Sequence, residues 1–318
     1  AEVEESGSIV LGARLFCEII RKMPDETVSI TAGENFNTRL ESADSSFDLI
    51  GTSAADYPAL PPLEGTNALT IDGRALRSMI TQTIFALDDS ETRPVYNGEL
   101  FEVKDKTVTV VALDGARLAM RREELESEAE EEASFIVPGP ALSEVERIAA
   151  AEDGMVEIIA GPKHVIFKMP NTLLISRRLE GEFLNYRTTI PQNGKYAIGA
   201  ARRELMDAVE RVSLIINDKA KSPVRCIFGD GNISLNVVSA FGRASDVCST
   251  EGDAEKLEIG FNHKYLLDAL RAAPADNLRI CLASPTAPCI IMPEDTDDGK
   301  FLYMILPVRL STTTANGA

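Results

Sequence analysis

Residues 8–30 (SIVLGARLFCEIIRKMPDETVSI) run from a short apolar strand into a stretch with apolar side chains at Leu15, Phe16, Ile19 and Ile20. That 3.6-residue spacing predicts a helix with Leu15 and Phe16 turned to a core. Met23-Pro24 stops it, and Val28-Ser29-Ile30 opens a second strand. The same plan returns at residues 135–158 (FIVPGPALSEVERIAAAEDGMVEI) and again at 257–280 (LEIGFNHKYLLDALRAAPADNLRI). Val10 maps to Val137 at a shift of 127, Val28 to Val156 at 128, and Val156 to Leu278 at 122. Such a period exceeds the roughly 50 residues of a solenoid repeat, so each copy should mark a domain.

A second unit lies between these copies. Thr70-Ile71-Asp72-Gly73 leads into a helix through Leu76, Ile80 and Ile84, and Ile198-Gly199-Ala200 leads into one through Leu205, Val209 and Val212. Leu76 maps to Leu205 at a shift of 129. Strands of period two follow each helix, at 99–103 and 107–113 and again at 225–228 and 233–238. Phe228-Gly229-Asp230-Gly231-Asn232 reads as a tight hairpin turn. The predicted class is α+β, with tandem domains of two strand–helix–antiparallel-strand halves. The expected divisions are a half-unit at 1–63, whole domains at 64–191 and 192–310, and a polar tail at 311–318. By this arithmetic the first domain is expected to lack a leading half of roughly 60 residues.

Charge changes the picture only once it is localised. The chain carries 32 basic and 50 acidic residues, a net −18, which by itself argues against nucleic acid. The five expected helices (13–23, 73–87, 140–150, 200–216, 263–272) nevertheless sum to +4, leaving −22 for everything else. Binding depends on where positive charge sits, not on the total. The acidic run 123–132 reads as a solvated segment. Five cysteines without CxxC spacing, in apolar helix or strand patterns, are expected to be buried thiols of a reduced, cytoplasmic protein. No apolar run approaches the roughly 18 residues of a membrane span.

Catalytic chemistry is not legible. His164 and His263 lie in different domains and away from any partner at metal spacing, and no P-loop, GxGxxG or GxSxG occurs. No cofactor and no metal is expected. Repeated domains laid head to tail can close into a symmetric ring. Arginines on inward-facing helices would then meet phosphate without reading bases.

Several motifs carry a resemblance. They are Val111-Ala112-Leu113-Asp114-Gly115-Ala116-Arg117-Leu118-Ala119, Arg178-Leu179-Glu180-Gly181-Glu182-Phe183-Leu184-Asn185-Tyr186, Asn217-Asp218-Lys219 with Val224-Arg225, Ile259-Gly260-Phe261-Asn262, and Leu306-Pro307-Val308-Arg309-Leu310. Through these, in order along the whole chain, it closely resembles the bacterial DNA polymerase III beta subunit, the sliding clamp. The resemblance implies the DNA-clamp fold, with helices lining a ring and sheets outside. It implies a head-to-tail homodimer that encircles double-stranded DNA without sequence preference. It also implies that the ring tethers the DNA polymerase III catalytic subunit, the clamp loader and other clamp-motif proteins, and catalyses nothing.

Carried over position by position, the partner-peptide cleft comprises Tyr96, Gly115, Arg117, Leu118, Leu184, Thr188, Thr189, Met304, Ile305, Leu306, Pro307, Val308, Arg309 and Leu310. Apolar pockets beside an arginine suit an extended peptide anchored by a few large side chains. Leu113, Ala116 and Leu184 depart from the family pattern and should alter the cleft's preferences. The ring-closing interface carries over to Ile19, Phe47 and Leu49 against Leu214 and Ile215 of the next subunit. The DNA-facing candidates are Arg14, Arg21, Lys22, Arg74, Arg77, Arg202, Arg203 and Lys264. An alternative of another class is a truncated, non-closing peptide-binding scaffold, monomeric in solution. An enzyme holding a metal on its acidic surface would need clustered carboxylates, which no spacing suggests.

Overall fold

The computed structural model describes residues 2–59, 67–126, 132–191, 194–217, 222–295 and 300–310. Pro61-Pro62, the middle of the acidic run, Asp218-Lys219 and the tail 311–318 lie outside the described residues. The chain divides into two compact units, residues 1–62 and 63–318.

Among its described residues the first unit holds one helix, α1 (Ala13–Ile20), and three strands, β1 (Ser29–Ala32), β2 (Asn37–Ser42) and β3 (Ser45–Ile50), paired antiparallel in that order. The strand expected at 8–11 is reduced to one bridge between Val10 and Thr52. α1 ends when Arg21 N donates to Cys17 O, and Pro24 forbids a further turn. Its apolar face is narrower than its spacing predicts: Ile19 is buried, Phe16 is half-buried, but Leu15 is 55% exposed. Leu15 therefore does not join the core. In β2 the alternation is strict, and Thr38, Leu40 and Ser42 are all buried.

The second unit states its plan twice. First come β4 (Asn67–Asp72), α2 (Gly73–Thr81), β5 (Gly98–Lys104), β6 (Thr107–Leu113) and β7 (Arg117–Glu124). They are followed by β8 (Ala133–Pro138), α3 (Gly139–Ala151), β9 (Met155–Ala160), β10 (His164–Lys168) and β11 (Leu173–Arg177). The second statement runs β12 (Tyr196–Ala201), α4 (Arg202–Ser213), β13 (Val224–Gly229), β14 (Asn232–Ser239) and β15 (Gly242–Glu251). It closes with β16 (Leu257–Phe261), α5 (His263–Ala272), β17 (Asn277–Leu282), β18 (Cys289–Pro293) and β19 (Phe301–Ile305). The Asp72 carboxylate caps α2 by accepting from Arg74 N and Ala75 N, and Asn262 caps α5 through Lys264 N. α2 stops well short of residue 87. Thr81 and Thr83 hydroxyls lie on the carbonyls of Arg77 and Met79, and the chain tightens into a 3₁₀ turn at Ile84–Ala86. Asp230 (φ 56°) and Gly231 (φ 71°) form the left-handed pair of the β13–β14 hairpin.

All ladders among the described residues are antiparallel, and with the helices between them the class is α+β, as expected. One sheet has the order β11-β10-β9-β4; the other joins twelve strands, β16-β13-β14-β15-β12-β17-β18-β19-β7-β6-β5-β8. The join is β19 on β7, from Phe301 opposite Arg121 to Ile305 opposite Arg117. α2 packs beside α3 and α4 beside α5. Two cores lie beneath these helix pairs, one built on Leu76, Met79, Phe101 and Phe135, the other on Val209, Phe261, Leu270 and Tyr303. A third core straddles the β7–β19 join and includes Val111, Leu118, Tyr186, Leu302 and Met304. Cys226, Cys248 and Cys289 are buried and Cys281 partly so, but Cys17 is exposed on the outer face of α1, contrary to the expected burial. Burial pushes the Cys226 thiol up to about 12. Among the described residues no helix is long and apolar enough to cross a membrane.

Candidate functional site

The β7–β19 join is framed by a turn that only glycine can make. Gly115 has φ 91°, and a Cβ there would stand 2.9 Å from Arg93 Nη1. Beside it, the Asp114 carboxylate accepts from Ala116 N (2.8 Å), Arg117 N (3.0 Å) and Arg117 Nε (2.9 Å). The Ala116 carbonyl then accepts from Leu306 N at 2.8 Å, so this turn sets where the chain leaves β19. Two residues on, Val308 N donates to Gly260 O at 2.8 Å, closing the terminal segment against β16. A Cβ on Gly260 would meet Leu310 Cδ2 at 2.6 Å, which is why the segment can lie so close.

The opposite wall is residues 183–190. Tyr186 is buried, and its hydroxyl donates to Glu102 Oε2 at 2.6 Å. Arg187 donates to both Glu102 oxygens and lies 4.7 Å over the Tyr186 ring. Burial, then the bond to Glu102, pushes the Tyr186 phenol far above its ordinary range. Thr188 and Thr189 hydroxyls donate to the carbonyls of Asn185 and Tyr186, tightening the turn. Tyr96 meets Phe183 edge to face at 5.4 Å. Leu118 and Met304, opposite one another in the ladder, are buried beneath these walls, whereas Leu184, Leu306 and Val308 remain 43%, 37% and 37% exposed. The terminal segment, with Glu258, Pro285 and Thr286, lines a cavity of about 530 Å³. Exposed apolar side chains on a pinned frame can anchor an apolar, extended ligand.

Two cleft candidates sit otherwise than the sequence suggests. Ile305 belongs to the core beneath α4 and α5, while Met304 belongs to the core across the join, because successive strand residues face opposite ways. Arg117 is only 13% exposed and donates to Asp114 and to Asp268 Oδ2 on α5 (2.6 Å). Its guanidinium lies 4.5 Å over Tyr265 and 5.5 Å over Phe85. Tyr265, Pro285, Thr286 and Glu258 border this region without having been legible; their only sequence signal is adjacency to the Ile259-Gly260-Phe261-Asn262 motif or to a proline-rich turn.

Of the DNA-facing candidates, Arg21, Lys22, Arg77, Arg203 and Lys264 are exposed. Arg14 pairs with Glu18 (3.1 Å) and Arg74 with Asp153 (2.8 Å), both on the surface. Arg202 is turned inward, 24% exposed, donating to Leu270 O at 3.3 Å and facing Asp276 at 3.7 Å.

Of the interface candidates, Leu214 is 84% exposed, Phe47 is 41% exposed and Leu49 and Ile215 are half-buried, whereas Ile19 is buried. β3 pairs with β2 alone among the described residues. Among the described residues β15 meets β12 only at Gly199–Glu251 and Ala200–Thr250, so residues 242–249 pair there on one side only. Phe241 (73% exposed) and Val247 (57%) stand near that edge and were not singled out. Among the described residues no three His, Cys, Asp or Glu side chains gather as a metal site.

The three domains of one family match the chain in order. These are DNA polymerase III beta subunit, N-terminal domain (residues 1–61), central domain (70–185) and C-terminal domain (187–309). The beta sliding clamp of Halalkalibacterium halodurans is 32% identical over 314 residues, covering 97% of this chain and 82% of that protein. That of Bacillus subtilis (strain 168) is 32% identical, covering 96% and 82%. Among solved structures, the Bacillus subtilis DNA polymerase sliding clamp superposes with a TM-score of 0.92 at 31% identity, covering 98% of this chain and 82% of that one. A Pseudomonas aeruginosa sliding clamp bound to griselimycin gives 0.90 at 27% identity, covering 97% and 84%.

Proposed function

The chain belongs to the DNA polymerase III beta subunit family, the beta sliding clamps, and we propose how its own residues do the work of a clamp. It is a DNA sliding clamp: a non-enzymatic processivity factor that forms a homodimeric ring on duplex DNA and tethers DNA polymerase III and other clamp-binding partners. We place it in the cytoplasm.

The observation that carries the residue assignment is the β7–β19 join. There the last strand of one repeat pairs with the fourth strand of the repeat before it. β3 is also a last strand and β15 a fourth strand, and each has an open edge among the described residues. Repetition of that join between two copies, β3 of one on β15 of the other, would propagate the rotation and close the ring. Phe47 and Leu49 would then meet Leu214 and Ile215. Arg77, Arg203 and Lys264, exposed on the helices, are our choice of phosphate contacts, which bind without reading bases. Arg202, drawn toward Leu270 and Asp276, contributes less.

For partner peptides we assign Leu184, Leu306 and Val308 as the exposed anchors, above a floor of Tyr96, Leu118 and Met304. Griselimycin, carried by the Pseudomonas aeruginosa relative, should bind this chain on the same surface. The test is retention on DNA after assembly with a clamp loader on a nicked circular plasmid. A ring stays on the circle and runs off once the plasmid is cut. Equal retention on linear and circular DNA, or a monomer by sedimentation that still binds griselimycin, would instead identify a non-closing scaffold.

A further inference from the structure

We propose that Arg117 is a positioning residue for the partner cleft, holding the terminal segment in place from behind instead of engaging the partner itself. The inference rests on the peptide-cleft reading above and adds a device to it.

The guanidinium divides its donors between two parts of the chain. Nε serves Asp114 in the turn before β7, and Nη1 serves Asp268 on α5, 151 residues away. It also lies over the rings of Phe85 and Tyr265, one from each side of the join. A planar cation matched to carboxylates in its plane and to rings above it is held in one orientation. At 13% exposure with both carboxylates in place, it offers an incoming partner little that is unpaired. Removing Asp268 would leave Nη1 without its carboxylate in a site largely withdrawn from water while Asp114 still holds Nε, which costs more than losing a surface pair.

What this orientation controls is legible in the next bonds. The Asp114 carboxylate that receives Arg117 Nε also receives the amides of Ala116 and Arg117. Ala116 in turn accepts from Leu306 N, and Val308 follows two residues later. A continuous chain of bonds thus runs from Asp268 on the helix layer, through Arg117 and Asp114, to the lip bearing Leu306 and Val308. Arg93 braces the same turn from its other side, donating to Asp88 and to Asp114 O. Anchors held in their bound position before the partner arrives lose less freedom on binding.

The experiment compares wild type, D268N, D268E, R117A and the R117A/D268N double variant. Griselimycin affinity is measured by calorimetry, and hydrogen exchange is followed at the amides of Leu306 and Val308. A positioning role predicts that D268N weakens griselimycin by about tenfold and speeds exchange at both amides. It also predicts that D268E largely restores both, and that the double variant is no worse than R117A alone. If Arg117 instead contacts the ligand, D268N frees it: affinity holds or tightens, the two effects add, and the proposal falls. Wild type that fails to bind griselimycin would sink the cleft assignment, while unchanged exchange in D268N would still overturn this one. Should R117A not fold, D268N, which keeps the shape of the side chain, decides alone.

Discussion

Thr83 Oγ1 stands 2.8 Å from a carboxyl oxygen of Glu99 and 2.8 Å from the Met79 carbonyl. The Met79 carbonyl can only accept, so the one Thr83 hydroxyl proton is divided between that carbonyl and the Glu99 carboxyl, which Thr83 serves as donor. Glu99 is fully buried, its other oxygen finds no partner among the described residues, and Glu146 repels its charge. Burial raises its pKa well above the ordinary 4.5.

Stability should therefore fall as pH rises. Below 4.5 the carboxyl is protonated in both folded and unfolded chains; above it, only the folded chain keeps the proton. The contribution is lost progressively as pH climbs toward the raised folded value. Urea denaturation of wild type against Glu99→Gln, at pH 5 and pH 8, should show the variant gaining on wild type at the higher pH. An unchanged difference between the two pH values would mean that Glu99 does not titrate as described.

Gly115→Ala tests the turn that frames the cleft. A side chain at φ 91°, driven against Arg93 at 2.9 Å, should cost about 1–2 kcal/mol. The loss should appear as a lower urea midpoint without a change in slope.

Leu214→Glu tests the interface assignment with little risk to the protomer. The side chain is 84% exposed, so the folded subunit should lose less than about 0.5 kcal/mol. Sedimentation should nevertheless move from dimer to monomer, because a charge would be buried against Phe47 and Leu49 of the partner copy. A dimer of unaltered strength would remove Leu214 from the interface.

Arg77→Glu and Arg203→Glu test the phosphate contacts. Each should weaken binding to a short duplex equally for unrelated sequences. The slope of log affinity against log salt should fall by about 0.9 for every phosphate released. Arg74→Glu should do less, since Asp153 already holds Arg74 at 2.8 Å.

Much of this was open to reading along the chain. Repeat order, the α+β class and every helix are local in origin: the period of apolar residues differs between helix and strand, and Asp72, Asn262 and Asp230-Gly231 carry their caps and turn with them. Even Glu99 could have been flagged, because it shares strand parity with the buried Phe101 and Val103. Parity likewise separates Ile305 from Met304, which the carried-over cleft had grouped together.

Other matters depend on pairs that sequence distance conceals. Whether Leu15 or Ile19 enters the core depends on what α1 meets, and amphipathic spacing names both. Arg117 reads as a free cleft arginine until Asp268, 151 residues on, is found beside it, and Arg202 as a DNA contact until Leu270 and Asp276 are. The sequence by itself determined the elements and their repetition, because those follow from interactions a few residues long, and its motifs carried the resemblance to the family. Only the tertiary structure decided which charges are engaged and which apolar groups remain open, because burial and pairing depend on which distant segments the fold brings together.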